Sequence, residues 1–296
     1  LFSGFLNIDK PLGMTSHDVV NLVRRALRPV DSNLKVGHAG TLDPLASGVL
    51  VLCVGAATRL SDFVMRTTKE YRATVGFGVV TDTYDGEGQV VRTHPADHLT
   101  KEAVQRALEA FIGHIRQVPP AYSAIKKDGR KLYELARKGE ALQLEPREVY
   151  IERIEVVSMN GTEAVLDVTC GSGTYIRSLA YDLGEMLGVG AHLAGLVRTR
   201  SGAFHLSDAI KLQGLTAHML PEILVPPVRA LTHLRHIWLT ADEVRDLSHG
   251  RAVPWRPALG GGATSDTIVG FGPGDVVVAL LKEEDQLLKP VKVFHV

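Results

Sequence analysis

Apolar positions recur at helical spacing in three stretches. In "DVVNLVRRAL" (18–27), Val19, Val20, Val23, Ala26 and Leu27 form one stripe, with Ser16 as the expected cap. Over 101–112, Ala103, Val104, Ala107, Leu108, Phe111 and Ile112 do the same, capped by Thr100. A third helix is predicted over 175–187 from Ile176, Leu179, Ala180, Leu183 and Leu187, with Gly188 ending it. Strand-like runs lie between: "GVLVLCVG" (48–55), "YRATVGFGV" (71–79), "VYIERIEVV" (149–157) and "AVLDVTC" (164–170). Several alternate, which suits a sheet with one covered face. Helices and strands do not alternate regularly, so the layout predicted is α+β rather than doubly wound.

The pattern breaks around Pro221, Pro226 and Pro227. Beyond lie short apolar runs rich in Val and Gly, "HIWLTADEVRDL", "DTIVGFG", "DVVVALL" and "PVKVFHV", with "GGGATSD" (260–266) as a loop. They predict a small β-rich second domain over 236–296, after a first domain of 1–235. A length of 296 residues fits two domains, and 45% hydrophobic residues suffice for a real core.

Composition narrows the function classes. No apolar run reaches the roughly 18 residues of a membrane helix. The opening "LFSGFLNIDKPLG" has no basic n-region, so no signal peptide is predicted; it also lacks a starting Met, which reads as a trimmed end. The two cysteines, Cys53 and Cys170, exclude a disulfide framework and suit a reducing cytoplasm. His94 and His98, and His233 and His236, have helical metal spacing, but Pro95 follows His94 and no carboxylate motif accompanies either pair. Net charge is zero, with 33 basic and 33 acidic residues, which does not mark a general nucleic-acid binder. The distribution says more. "KKDGRKLYELARK" (126–138) carries six Lys/Arg against two acids, and Arg24, Arg25 and Arg28, then Arg198 and Arg200, form further clusters. Each alone reads as a solvated face; together they predict a phosphate-binding track.

Cofactor motifs are missing: no GxxxxGK[ST], no complete dinucleotide fingerprint in "CGSGTYIR" or "GVGAHLAG", and no GxSxG elbow. What remains is "GHAGTLDPLASGVL" (37–50). Gly37 and Gly40 allow a sharp bend or a close approach to a ligand. Pro44 biases Asp43 toward an extended conformation, projecting its carboxylate from a stiff loop end. The apolar run behind it would anchor the loop, as a catalytic group requires. On composition alone an ordinary turn is the better reading of the stretch.

This stretch resembles the catalytic motif of the tRNA pseudouridine synthase B family, which modifies uridine 55 of the T-loop. The family's other motifs are matched in order by "LNIDKPLGMTSHDVV" (6–20), "KEYRATVGFGVVTDTYDGEG" (69–88), "QVPPAYSAIKKDGRKLYELAR" (117–137), "CGSGTYIRSLAYDLG" (170–184) and "GAHLAGLVRTRSG" (190–202). The resemblance covers nearly all of 4–205. It implies a catalytic domain with a central, mostly antiparallel sheet flanked by helices. The tail resembles, by position, the small RNA-binding β-domain called PUA.

Roles follow position by position. Asp43 matches the catalytic aspartate, Tyr71 the tyrosine stacked on the target base, Arg177 the arginine paired with the aspartate, and Leu196 a leucine lining the pocket. His38 matches a histidine contacting the flipped RNA, with Gly40 and Leu42 in the same substrate loop. Arg59 stands where the family has a basic residue near the substrate. Lys126, Lys127, Arg130 and Lys131 belong to a tRNA-gripping segment at about 120–150. The resemblance implies no cofactor, a tRNA partner held by its T-arm, no obligatory protein partner, a monomer, and cytoplasmic work. The alternatives are an RNA-binding protein on the same scaffold, a guide-RNA-dependent relative, and a glycosidase pairing Asp43 with Asp62, Asp82 or Asp85.

Overall fold

The computed structural model describes residues 2–120, 126–127, 130–131, 144–261 and 266–294, the side chains of 126–127 and 130–131 excepted. A ten-stranded sheet forms the centre. Its main path runs Ile210–Lys211, Gly4–Lys10, Ala46–Val54, Ala191–Ser201, Lys69–Phe77, Glu163–Cys170, Arg147–Asn160, Gly113–Gln117. Val36–His38 adds to Ala46–Val54, and Phe204–His205 to Ala191–Ser201. Two pairings are parallel, Gly4–Lys10 with Ile210–Lys211 and Ala46–Val54 with Ala191–Ser201; the others are antiparallel.

The strand Ala46–Val54 shows why "VLVLCV" does not alternate. Leu50, Leu52 and Val54 pack against the Ser16–Leu27 helix through Val19, Val20, Val23 and Leu27. Val49, Val51 and Cys53, on the opposite face, pack against Val269, Phe271, Val277, Leu280 and Phe294 of the C-terminal region. Both faces are covered, so both sets are apolar, as a buried strand requires. On the other half of the sheet, the helices Lys101–Leu108 and Ile176–Met186 bury Val104, Leu108, Leu179, Ala180 and Leu183 against Val75, Ile154, Leu166 and Val168.

The C-terminal region builds its own five-stranded sheet, ordered Arg235–Trp238, Thr267–Phe271, Val277–Glu284, Leu287–Val293, Val253–Pro254. The helix Ala241–Ser248 covers it, opened by a Thr240–Glu243 capping box.

The helices fall close to expectation, with one correction at a cap. Thr15, not Ser16, caps the first helix: its side chain accepts from the Asp18 N–H, and Asp18 returns the bond to the Thr15 backbone. Ser16 is released for another task. The helix from Lys101 ends at Leu108 and tightens into a 3-10 turn, Glu109–Phe111. Thr100 caps it as expected, and Gly188, at φ 74°, follows the Ile176–Met186 helix.

Candidate active site

Asp43 follows the strand Val36–His38 in an irregular stretch that neighbouring segments fix from several sides. Ser16 Oγ donates to the Leu42 carbonyl (3.0 Å) and accepts from the Leu42 N–H (2.8 Å). The Gly13 N–H donates to the Pro44 carbonyl (2.9 Å), and the Ala46 N–H to that of Asp43 (3.0 Å). Beneath lies Arg198, only 1% exposed. Its guanidinium donates to the carbonyls of Val49 (2.7 Å), Gly40 (3.2 Å) and Thr41 (3.4 Å). The parallel register that sets Arg198 beside Gly48 is possible because Gly48 has no side chain: at its φ of 94° a Cβ would strike the Arg198 carbonyl. The loop around Asp43 is therefore rigid through hydrogen bonds that its own sequence does not contain.

Arg177 comes from the first turn of the Ile176–Met186 helix. The helix start has no side-chain cap of its own, and Gln117 of the edge strand serves it. Its Oε1 accepts from the Tyr175 N–H (3.0 Å) while its Nε2 donates to the Tyr175 carbonyl (3.3 Å). A cation in the first turn opposes the helix dipole, and two carboxylates offset this. Arg177 Nη2 lies 3.0 Å from Asp43 Oδ2, and Nη1 lies 3.3 Å from Asp85 Oδ2. The Arg177 side chain is 7% exposed and that of Asp85 6%, whereas Asp43 retains 41%. Only Asp43 presents its carboxylate to solvent.

That carboxylate faces a pocket of about 390 Å³, within the range of small-ligand sites. Gly40, Thr41, Leu42 and Asp43 line one side; Gly171–Arg177 line another; Lys69, Tyr71, Leu196 and Arg198 form much of the rest. Burial raises the Asp43 pKa above the ordinary carboxylate range, Asp85 raises it further, and Arg177 and Lys10 pull it down. Burial also pushes the Tyr71 phenol up, against the nearby Arg198 charge. Lys69 is buried, donates to the carbonyls of Met65 and Thr67, and is pushed down to about 8 by desolvation and by Arg198. The pocket lining holds Arg66, Lys69, Arg177 and Arg198 against the one carboxylate of Asp43, so its charge is net positive.

Of the residues singled out from the sequence, Gly40, Leu42, Asp43, Tyr71, Arg177 and Leu196 share this pocket. His38 does not line it. Its Nδ1 is buried with no hydrogen-bond partner among the described residues, and burial lowers its pKa, keeping the ring neutral. Arg59 lies elsewhere: Nη2 donates to the Val293 carbonyl (2.8 Å) and the guanidinium stands 4.4 Å from the centre of the Phe294 ring. It is a tie to the C-terminal sheet, because the turn Gly55–Leu60 packs under that sheet and not at the pocket. The backbone of Lys126–Lys127 pairs with Arg130–Lys131 as a small hairpin, while their side chains and residues 132–143 lie outside the described residues. Sequence reasoning missed the roles of Ser16, Lys69, Gln117 and Arg198 and the second partner of Arg177. An Arg two residues after Leu196 on an apolar strand was the available signal.

Most of the chain is similar to known proteins. The family model for the TruB family pseudouridylate synthase N-terminal domain matches residues 24–176, and that for the tRNA pseudouridylate synthase B C-terminal domain matches 177–232. The tRNA pseudouridine synthase B of Microcystis aeruginosa is 46% identical over 97% of this chain and 97% of its own. That of Symbiobacterium thermophilum is 49% identical over 84% and 82%. Among solved structures, a chain of the H/ACA ribonucleoprotein bound to a substrate RNA containing 2′-deoxyuridine is 28% identical with TM-score 0.74. A chain of the Cbf5–Nop10–Gar1 complex is 29% identical with TM-score 0.75. Each alignment covers 99% of this chain and 85% of the other. A pocket-facing aspartate held by a buried arginine, on a fold shared with these proteins, thus sits in a chain that belongs to the TruB family of pseudouridylate synthases.

Proposed function

We propose that this chain isomerises the T-loop uridine at position 55 of tRNA to pseudouridine, with Asp43 as nucleophile. The observation that carries this is the 3.0 Å ion pair between buried Arg177 and the one exposed carboxylate of the pocket. The reaction breaks the N1–C1′ bond, turns the base and rejoins C5 to C1′. The proton lost from C5 is balanced by one gained at N1. No electron or group donor is consumed, so no cofactor is needed. Attack at the base or at the sugar carbon equally requires an ionised carboxylate that can later leave. Arg177 favours that form, opposing the desolvation that raises the Asp43 pKa. Tyr71, its phenol kept protonated, is the platform on which the flipped base stacks, and Leu196 closes the apolar side.

The cations at the pocket and the basic segment 126–138 position the RNA backbone. Within this reading, residues 1–235 form the catalytic domain and 236–296 a PUA-like RNA-binding domain, and the enzyme works as a cytoplasmic monomer. The glycosidase alternative loses support because Asp85, the second acid beside Asp43, is buried behind Arg177 and does not line the pocket. The relatives at 42–49% identity are tRNA enzymes, which favours action without a guide RNA.

The test is tritium release from C5-labelled uridine in tRNA, with no other protein or RNA added. Wild type should release tritium, and Asp43→Asn, folded and binding tRNA, should release none. Release by both would remove Asp43 from the chemistry; release by neither, with tight binding, would favour the RNA-binding or guide-dependent alternatives. Reversing the charges of Lys126, Lys127, Arg130 and Lys131 should weaken tRNA binding and flatten its salt dependence. Unchanged binding would remove that segment from the interface.

A further inference from the structure

Asp85 precedes Gly86 in a loop joining two short strands, Val79–Thr81 and Val90–Thr93. The loop is anchored to the Ala191–Ser201 strand, because the Leu193 N–H donates to the Tyr84 carbonyl (2.9 Å) and the Gly86 N–H to that of Leu193 (3.0 Å). Asp85 itself is tightly held. Its Oδ1 accepts from Thr83 Oγ1 (2.6 Å) and the Glu87 N–H (3.1 Å), leaving Oδ2 for Arg177. The residue before it, Tyr84, adopts φ 63°, a left-handed conformation that bulky aromatic residues rarely take. Its ring lies flat on Tyr181, with centroids 4.0 Å apart and planes 20° from parallel. Tyr181 stands four residues after Arg177 on the same helix, hence on the same face.

Two consecutive loop residues, Tyr84 and Asp85, are thus gripped by two helix residues one turn apart. We propose that the Tyr84–Tyr181 ring pair is a positioning clamp, which fixes Asp85 against Arg177 and so sets the aim of the Arg177 guanidinium at Asp43. Neither tyrosine lines the pocket, so both act through Arg177. The unfavourable Tyr84 backbone persists because the stack and the Leu193 bond hold it. The clamp is useful only if Asp43 is the reacting group, and to that extent it rests on the function proposed above.

The experiment compares Tyr181→Leu, Tyr181→Phe and Tyr84→Gly by single-turnover pseudouridine formation, tRNA Kd and the Asp43 pKa. The last is followed by carboxyl 13C NMR and assigned by its loss in Asp43→Asn. Tyr181→Leu should slow turnover about tenfold, with Kd changed less than twofold, and should raise the Asp43 pKa as Arg177 loses its aim. Tyr181→Phe keeps the ring stack and loses only the hydroxyl bond to Tyr84, so it should retain most of the wild-type rate. Tyr84→Gly suits the φ of 63°, and should fold stably yet be as slow as Tyr181→Leu. In an Asp85→Asn background, Tyr181→Leu should add little further loss, because the path through Asp85 is already broken. Unchanged turnover and pKa in both Tyr181→Leu and Tyr84→Gly, an equal loss in Tyr181→Phe, or a fully additive loss with Asp85→Asn would overturn the clamp. Inactive wild type would sink the pseudouridylation reading alone, since the NMR titration reads the clamp without substrate.

Discussion

Arg198 shows how much of the site rests on one side chain outside the recognisable loop. It is almost wholly buried, and its guanidinium serves the Gly40, Thr41 and Val49 carbonyls. Replacing it by Met would fill similar space but leave those acceptors unpaired, at about 1–3 kcal/mol each before relaxation. Arg198→Met is therefore expected to lower the urea midpoint markedly and to slow catalysis even where the protein remains folded. Arg198→Met at wild-type rate and stability would show that the loop holds itself. At Asp43 the prediction concerns pH. In the proposed reaction Asp43 acts ionised, and its pKa stands above the ordinary carboxylate value, so catalysis should fail with acid at a pH above about 3.9. Arg177→Lys, which loses the planar fork, should move that limb higher. A pH–rate profile from 4 to 8 checks both. Asp43, Tyr71, Arg177 and Leu196 were legible because they sit in quotable motifs. The polar anchors were not, since Arg198 in a strand and Ser16 at a helix start read from sequence as a surface charge and a cap. Burial, which sequence does not display, turns them into supports.

At the scale of elements, the Ile176–Met186 helix carries a second titratable group. Asp182 is pushed up to about 6 by burial, with Glu185 adding to the shift. Its charged form is thus disfavoured in the fold. Between its unfolded value near 3.9 and about 6, the native state holds more protons than the unfolded chain, so this group's contribution to stability falls as pH rises. Asp182→Asn should raise the melting temperature at pH 7.5, and the gain should vanish below about pH 4, where the native carboxyl is also neutral. Equal gains at both pH values would refute the electrostatic cause. Helices and strands were largely readable from apolar spacing, because each buries one periodic face. The exception is instructive: Ala46–Val54 lost its alternation when the C-terminal sheet covered its second face. Its pairing with Ala191–Ser201, parallel and far apart in sequence, has no local signature at all.

At the scale of the whole molecule, the C-terminal sheet shares a core with the catalytic sheet. Phe271, Val269 and Phe294 pack with Phe5, Val49 and Val51. Deleting 236–296 would strip one face of the Ala46–Val54 strand, which stands directly behind the Asp43 loop. The truncated chain is expected to lose thermal stability and not merely affinity for tRNA. Phe271→Ala alone should cost about 3–5 kcal/mol. A truncation melting within a few degrees of the full chain would show the shared core to be dispensable. Arg59→Ala, which cuts the tie to Val293 and Phe294, should make the tail more readily cleaved by protease. The pattern break around Pro221, Pro226 and Pro227 was visible in the sequence, but no run of residues announced that two sheets would share their interior.

The bond from Arg198 to Gly40 spans 158 residues, and the strand that carries it lies beside the one that anchors Asp43. On the ribosome, the aspartate therefore emerges long before the parts that aim it. A nascent chain ending before this strand has no donors for the Gly40, Thr41 and Val49 carbonyls and no wall at Leu196. Contacts of such high sequence separation form late. Translation itself thus delays the enzyme: the pocket cannot be completed until about two-thirds of the chain has been made.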